Sequence, residues 1–284
     1  MSCAHGASGG ADDNAERQRE GFLLTKVMTR MDATELVKLQ QLVEANPDDM
    51  TTRLALLQGC MAMERWPEAA EVGAPLLQHH PPSATVHTLM GVVYGKCQRL
   101  QEAVQQCRQA LTLQAEDALT LFNLGTLLAQ QGDLQAALEP LQHVTKQQKT
   151  WAIAHYTLGT VLLQEQRYVE AITAFEEALE QCPDYPEAQF NRGNAHAMKA
   201  LDADGSLDYY ELDCAINAYK MAIQQRPGYT AALYNLGMLY KRMTSSEGLR
   251  VWDQYLEAAH GVPDEETWYI RAQEFKRDLQ SRGR

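Results

Sequence analysis

Small residues recur along this 284-residue chain at a fixed interval of about 34 residues, for example from Gly91 to Gly125. The glycines on this interval are Gly91, Gly125, Gly159 and Gly193, and the alanines are Ala69, Ala103, Ala137 and Ala171. A position that stays small in every unit is typical of two helices that cross closely, because a larger side chain would not fit between them. A period of about 34 residues predicts an array of stacked helix pairs.

One unit, residues 152–185, shows the pattern most fully. Leu158, Gly159 and Leu162 indicate a first helix, and the polar residues 165–167 end it. The second helix has its apolar residues at spacings of 3, 4 and 7, which indicate one buried face. These residues are Tyr168, Ala171, Phe175 and Ala178, and Pro183 closes the unit.

This pattern resembles the tetratricopeptide repeat (TPR), whose consensus places Trp, Leu-Gly, Tyr, Ala, Phe or Tyr, Ala and Pro in order along each unit. Some positions differ from the family: Ala115 and Lys149 replace the terminal Pro, and Cys107 and Leu141 replace Phe. The resemblance implies an all-α fold, a right-handed superhelical α-solenoid of helix-turn-helix repeats with terminal capping helices.

The pattern also predicts how the chain is divided. We expect a disordered polar tail over residues 1–21, an N-terminal capping helix region over 22–51 and a C-terminal capping helix over 264–284. Six TPR-like repeats fill residues 52–265 between the caps. Their approximate bounds are 52–83, 84–117, 118–151, 152–185, 186–229 and 230–265.

Three repeats depart from the regular length. The first, aligned on Gly59 and Ala69, is predicted to have an internal turn two residues shorter than the others. The fifth contains a ten-residue insertion near residues 201–213. In the last, aligned on Gly237 and Tyr255, we expect a turn about two residues longer.

Composition excludes several classes of function. The net charge is −12 and the basic residues are scattered, so a nucleic-acid interface, which needs clustered Lys and Arg, is not expected. The chain has no run of 18 apolar residues, which argues against direct membrane insertion. The first residues lack the basic and apolar regions of a secretory signal, and we therefore expect a cytoplasmic protein.

The sequence offers no catalytic or cofactor motif. Its six cysteines have no paired spacing, which favours reduced structural thiols. His79, His80 and His87 surround a turn without the geometry of a metal site, and no nucleophile motif accompanies any histidine. We expect a protein without enzymatic activity and without a cofactor.

By resemblance to the TPR family, function is expected in a concave groove lined by the first helices, which can receive a partner's peptide or helix. Three residues before each repeat glycine this groove would carry an aromatic ring that anchors an apolar ligand or, alternatively, packs between neighbouring helices. These residues are Phe122, Tyr156, Phe190 and Tyr234.

Two residues before the glycine the chain has Asn123, Asn191 and Asn235, whose amides suit a peptide backbone because they both donate and accept hydrogen bonds. Asparagine is also common at this position of the family, so its recurrence alone does not identify a binding site. Other groove positions hold Thr126, Thr160, Gln164, Asn194, Met198, Met238, Lys241 and Arg242. Lys241 and Arg242 make the C-terminal end of the groove basic, which would attract an acidic segment. The Lys, Asn and Arg clamp that binds chaperone C-terminal peptides is not reproduced.

The insertion resembles a calcium-binding loop of the EF-hand type. The residues at ligand positions are Asp202, Asp204, Ser206, Asp208 and Asp213. Leu207 stands where the loop needs glycine, and Asp213 is shorter than the usual glutamate. The alternative is a solvated acidic loop in which Tyr209, Tyr210 and Leu212 cover the face of the repeat.

Together these features predict a protein-binding scaffold or adaptor that holds a partner's segment in its groove and supports assembly or localisation of a complex. The alternative is a regulatory subunit that docks on a catalytic partner, or a protein that self-associates, through the convex face or the ends. A weaker alternative is a calcium-responsive module that uses residues 202–213.

Overall fold

The computed structural model describes residues 32–78, 81–200 and 207–282. These residues form fourteen α-helices, as the sequence predicts for an all-α chain. By its internal contacts the chain divides into two compact units, Met1–Thr157 and Leu158–Arg284. The tail predicted over residues 1–21 and part of the N-terminal cap region lie outside the described residues.

The first unit contains seven helices and the start of an eighth. The helices are α1 Ala33–Ala45, α2 Met50–Ala62, α3 Trp66–Gly73, α4 Ala84–Lys96, α5 Leu100–Leu113, α6 Ala118–Gln130, α7 Leu134–Gln147 and α8 Ala152–Gln164. A short 3-10 segment, Ala74–Gln78, continues α3. Within the unit α2 packs on α3, α4 on α5 and α6 on α7, so consecutive helices form the predicted pairs.

The second unit continues the same arrangement. Its helices are α9 Tyr168–Gln181, α10 Pro186–Lys199, α11 Tyr209–Gln225, α12 Thr230–Arg242, α13 Glu247–Ala258 and α14 Glu266–Arg282, and a 3-10 turn, Pro263–Glu265, precedes the last. The pairs are α10 with α11 and α12 with α13, and α14 packs on α13. Ala272 and Leu279 of α14 are buried, as expected of a capping helix, whereas Trp268 of the same helix is 43% exposed.

Side-chain caps start several of these helices. Asp49 accepts hydrogen bonds from the backbone N–H groups of Thr51 and Thr52, at 3.0 and 3.2 Å. Asp32 caps α1, and Glu35 returns a bond to the Asp32 N–H in a capping box. Because these N–H groups have no partner within the helix, the caps explain why the helices begin where they do.

A left-handed residue closes the first helix of most pairs. Its φ lies between 51° and 84°, and the next residue donates its N–H to the carbonyl five positions earlier, at 2.8–3.0 Å. The left-handed residues are Glu64, Gln98, Gly132, Gln166 and Thr244. This is the Schellman end of a helix, and it holds each turn to a few residues. Only Gly132 avoids the steric cost of a side chain in this conformation.

Each repeat glycine lies directly against a side chain of its paired helix. A methyl group placed on the glycine would come within 2.5–2.7 Å of that side chain, closer than van der Waals contact allows. The pairs are Gly91 with Cys107, Gly125 with Leu141, Gly159 with Phe175, Gly193 with Tyr219 and Gly237 with Trp252. The predicted close crossing of two helices is therefore present in five repeats.

The first repeat reverses this pair of residues, and the alignment on Gly59 is wrong. Its turn, residues 63–65, has the same length as the turns at 97–99 and 131–133, so no residues are missing from it. Leu57 occupies the repeat-glycine position, one period before Gly91, and its Cδ1 would lie 3.3 Å from a methyl group on Gly73 of the second helix. The space at Gly73 is filled most closely by the Sδ atom of Met90 of the next repeat.

The last repeat also differs from its predicted alignment. The residue that faces Gly237 is Trp252 rather than Tyr255. The turn over residues 243–246 is one residue longer than the regular turns, not two. Tyr255 is still buried, within the aromatic core of the second unit.

The glycine contact predicts a coupled pair of substitutions. Gly125→Ala should lower the free energy of unfolding by about 1–2 kcal/mol, because the new methyl group meets Leu141 Cγ at 2.5 Å. In a Leu141→Ala background the same substitution should be neutral or stabilising, since space has opened and alanine favours helix by about 1 kcal/mol. Urea unfolding of the four proteins measures this coupling. An equal cost in both backgrounds would contradict the contact.

The turns predict opposite effects of glycine at equivalent positions. Gln98→Gly and Gln166→Gly should each stabilise the protein by up to about 1 kcal/mol, because glycine adopts the left-handed conformation without strain. Gly132→Ala should destabilise by about as much, although a methyl group there would meet nothing within 4 Å. Gln166→Ala is the matched control and should be near neutral. Melting temperatures that do not separate these variants would argue against the turn geometry.

Candidate functional site

Three predicted groove residues of the first unit lie on α6, and most of them are already engaged within the fold. Phe122 is buried, and its ring centroid lies 4.9 Å from that of Trp151, the residue directly before α8. Thr126 donates its hydroxyl to the Phe122 carbonyl at 2.9 Å. Asn123 is only 5% exposed, and its Nδ2 has no hydrogen-bond partner among the described residues.

Helix α8 carries three further predicted residues. Tyr156 and Thr160 are half-buried, and Gln164 near the end of the helix is exposed. Tyr156 belongs to the first unit, whereas Thr160 and Gln164 belong to the second.

In the second unit the predicted asparagines come together. Asn194 Oδ1 accepts hydrogen bonds from Asn235 Nδ2 at 2.9 Å and from the Tyr219 hydroxyl at 2.8 Å. Asn194 Nδ2 donates to Asn191 Oδ1 at 3.3 Å. We call Asn191, Asn194, Asn235 and Tyr219 the amide cluster. It joins the first helices α10 and α12 to the second helix α11.

A buried tyrosine on the second helix α11 donates a hydrogen bond to the amide cluster. Tyr219 is almost fully buried, and its ring lies against Gly193 while its hydroxyl reaches Asn194. Burial raises the pKa of Tyr219, since the phenolate would lose its hydration, and the hydroxyl therefore remains a donor. The sequence prediction included the three asparagines but not Tyr219.

The aromatic groove residues of this unit pack inward. Phe190 lies against Tyr219 and Tyr229, with ring centroids 5.9 and 5.2 Å apart. Tyr234 meets Trp252 and Trp268 at 5.6 and 5.1 Å. Of the two interpretations of these rings, packing between helices describes their contacts within the chain.

The basic end of the groove is only partly free. The Lys241 ammonium lies 3.3 Å from the ring centroid of Phe275 on α14, in a cation–π contact. Arg242 is exposed. Two methionines on α10 and α12, the first helices that carry the asparagines, are also exposed. Met198 on α10 is 48% exposed and Met238 on α12 is 37% exposed.

A buried charged cluster at the end of α10 has no counterpart in the sequence prediction. His196 Nδ1 donates to Glu211 Oε2 at 2.7 Å, and Lys199 Nζ donates to Glu211 Oε1 at 2.5 Å. Burial opposes ionisation of Glu211, but the bonds from Lys199 and His196 outweigh it, and the pKa of Glu211 lies below its ordinary value. We call these three residues the Glu211 clasp. Only the spacing of His196 and Lys199, one helical turn, could have indicated it.

The insertion begins and ends next to this clasp. The Asp208 N–H donates to the Ala200 carbonyl at 3.0 Å and closes the insertion at its base. Asp208 also caps α11, accepting from the Tyr210 and Glu211 N–H groups at 2.9 and 3.3 Å. Leu212 is buried as predicted, but Tyr209 and Tyr210 are exposed rather than covering the repeat.

The calcium hypothesis rests mainly on residues outside the described part of the chain. Asp202, Asp204 and Ser206 lie there, Asp208 is the helix cap and Asp213 is exposed on α11. Across residues 32–78, 81–200 and 207–282, no three acidic, histidine or cysteine side chains are grouped as a metal site would require.

Cys60, Cys97, Cys107 and Cys214 are free thiols. Burial raises the pKa of the Cys107 thiol to about 12, which leaves almost no thiolate for nucleophilic chemistry. The described helices include none with the length and apolar character that a membrane span requires.

The comparison with known families agrees with the repeat geometry. Residues 82–150 match the family described as tetratricopeptide repeat, and residues 159–199 match a second described as TPR repeat. These parts of the chain are tetratricopeptide repeats. No curated protein sequence matches the chain at a significant level.

Solved structures share its α-solenoid fold. YrrB, described as a TPR protein with an unusual peptide-binding site, is 22% identical, with a TM-score of 0.58 over 69% of this chain and 96% of YrrB. A MamA structure is 24% identical, with a TM-score of 0.54 over 60% of this chain and 94% of MamA. MamA from Desulfovibrio magneticus RS-1 is 22% identical, with a TM-score of 0.51 and coverage of 69% and 96%. At these identities the likeness shows the fold alone.

The Glu211 clasp predicts a pH-dependent loss of stability. Because the folded pKa of Glu211 is depressed, its contribution is present above its ordinary value of 4.5 and is lost as pH falls through the folded pKa. Glu211→Gln should therefore lower the free energy of unfolding by about 1–3 kcal/mol at pH 7, a range reduced because Lys199 is 37% exposed.

The difference in free energy of unfolding between the wild type and Glu211→Gln should become smaller as the pH falls below 4.5. Urea unfolding at a series of pH values measures it. The control is Glu170→Gln, which breaks an exposed ion pair with Arg167 and should change stability by less than about 1 kcal/mol. A difference that stays constant down to acidic pH would rule out the clasp.

Proposed function

We propose that this TPR protein is a non-enzymatic scaffold or adaptor that binds an extended segment of a partner protein on the first helices of its second unit. By holding that segment it supports the assembly or localisation of a complex in the cytoplasm. The observation that carries the proposal is the amide cluster, together with the two methionines beside it.

The amide cluster supports recognition of a peptide backbone. The asparagine side chains hydrogen-bond to one another, and the Tyr219 hydroxyl donates to Asn194. Because of these bonds, the asparagine side chains are oriented before a ligand binds. Asparagine side chains offer both N–H donors and C=O acceptors, which match the alternating groups of an extended backbone. A preformed polar row lowers the entropic cost of binding.

The methionines support recognition of apolar side chains. Met198 lies one helical turn beyond Asn194 on α10, and Met238 lies one turn beyond Asn235 on α12. Both are exposed while most apolar residues around them are buried. Methionine adapts its shape to different partners, so this face suits a segment with scattered apolar residues rather than one fixed motif.

The surroundings also bear on which partners fit. Arg242 is exposed near Met238 and favours an acidic residue in the ligand. The net charge of −12 disfavours nucleic acid. YrrB is described as having a peptide-binding site, which fits a peptide as the ligand of a TPR protein with this fold.

The aromatic rings are poor choices for testing this site. Phe190 and Tyr234 contribute to the core, so truncating them would change stability as well as binding. Exposed methionines avoid this problem, and the chain provides a matched pair. Met238 lies on a first helix and Met221, 41% exposed, lies on the second helix α11.

The test uses random twelve-residue peptides selected on the wild-type protein by phage display. Met238→Glu should weaken the selected peptides more than about tenfold, about 1.4 kcal/mol, because it places a charge on the apolar contact. Met221→Glu should leave affinity unchanged. Fluorescence polarisation measures binding, and melting temperatures check that both variants fold.

The opposite result identifies the alternative function. Loss of binding in Met221→Glu alone would place the interface on the second helices, where Val169 is also exposed, as expected of a regulatory subunit docking on another protein. A wild-type protein that selects no peptide and forms oligomers instead would favour self-association.

A further inference from the structure

The methionines of the proposed peptide site differ from those of the core in how far they are exposed. Met198 of α10 is 48% exposed and Met238 of α12 is 37% exposed. Met61 and Met90 are buried, and the Met90 Sδ lies against Gly73 inside the first unit. Peroxides oxidise the thioether sulfur of methionine, so exposure decides which of these side chains is oxidised first.

The two exposed methionines lie on the same side of the amide cluster. Asn194 of α10 and Asn235 of α12 are joined by a hydrogen bond at 2.9 Å. Met198 follows Asn194 by four residues and Met238 follows Asn235 by three, which is about one helical turn in each case. Both helices are first helices of consecutive repeats and run in the same direction. The two thioethers therefore extend the row of asparagines towards the same end of the site.

Oxidation at these positions would change the surface without disturbing the core. The apolar residues that neighbour them on the same helices, Ala195 and Leu236, are buried. The turn of α10 that carries Met198 is held by hydrogen bonds from His196 and Lys199 to Glu211, and these bonds involve no sulfur. An oxygen atom added to either exposed sulfur is therefore accommodated by solvent.

We propose that Met198 and Met238 form a redox-sensitive modification site, at which oxidation by hydrogen peroxide weakens the binding of the partner segment. The inference rests on the proposed function, because it concerns the same face of the second unit. A lone pair of the sulfur forms a bond to one peroxide oxygen while the O–O bond breaks. The proton of the transferred oxygen passes to the departing hydroxide, which leaves as water. The sulfur is oxidised by two electrons and the peroxide is reduced by two.

The product is a sulfoxide, which is polar where the thioether is apolar. An apolar side chain of the ligand that packs on the thioether would instead meet a hydrogen-bond acceptor that it must desolvate. A thiol-dependent sulfoxide reductase reverses the change: two thiols become a disulfide, the sulfur regains two electrons and the oxygen leaves as water. The site therefore binds its segment in the reduced state and releases it in the oxidised state.

The experiment treats the full chain with hydrogen peroxide, which catalase removes before the peptides selected on the wild-type protein are added. Peptide mass spectrometry should find sulfoxide at Met198 and Met238 before it appears at Met61 and Met90. Fluorescence polarisation should then show an affinity lowered about tenfold, at an unchanged melting temperature. Sulfoxide reductases of both stereospecificities, supplied with dithiothreitol, should restore the affinity.

Two leucine variants identify the responsible sulfurs. Met198→Leu combined with Met238→Leu should bind the peptides equally before and after peroxide, because leucine is apolar and has no sulfur to oxidise. Met221→Leu is the matched control, since it removes the exposed methionine of the second helix α11. It should lose affinity on oxidation as the wild type does.

Three results would overturn the proposal, and they separate it from the proposed function. Unchanged affinity of a wild type whose Met198 and Met238 are mapped as sulfoxides would end the redox inference and leave the peptide site standing. A loss that persists in the double leucine variant would assign the effect to another residue. A reduced wild-type protein that selects no peptide would contradict the proposed function before any peroxide is added, and this inference with it.

Discussion

A glycine on the first helix of a repeat faces a larger residue on the second, and this close contact fixes how each pair of helices packs. Because a methyl group on the glycine would lie within 2.5–2.7 Å of its partner, the two helices cannot slide or rotate without a clash or a gap. Which residues face outward on the first helices follows from that fixed crossing. The candidate site therefore depends on a contact on the opposite side of the helix.

The residue that lies against the repeat glycine differs from repeat to repeat. In the fifth repeat it is Tyr219, which also contacts the amide cluster. Phe175 only fills space against Gly159, whereas Tyr219 fills the same space against Gly193 and carries a hydroxyl beyond it. That hydroxyl donates to Asn194 and so ties the core to the amide cluster. A phenylalanine there would pack as well and leave Asn194 with one donor fewer.

The sequence predicted the helix pairs well because their positions depend on local and periodic features. Glycine, turn residues and apolar spacing recur once in every repeat, and the helices follow them from Ala84 to Gln181. The first repeat was misaligned because Leu57 stands at the glycine position while the glycine, Gly73, stands on the second helix, where Met90 of the next repeat fills the space. A search for a recurring glycine cannot detect this arrangement.

The candidate site was less predictable, since a position in the repeat does not determine where a side chain points. Phe122, Phe190 and Tyr234 stand at groove positions, but their rings lie against other aromatic rings of the fold. These neighbours are Trp151 and Tyr229, each directly before a helix, and Trp252 on α13. The three asparagines were found because their amides recur, whereas the bond from Tyr219 required knowing which residue lies beneath them. The Glu211 clasp joins residues of two helices across an insertion, and no sequence spacing gives that distance.

The clasp also explains how the fifth repeat tolerates its insertion near the site. Glu211 accepts hydrogen bonds from His196 and Lys199, and these two bonds hold the last turn of α10 to the start of α11. Met198 belongs to that same turn and points to solvent. The carboxylate of Glu211 on α11 therefore holds the helical turn that carries Met198.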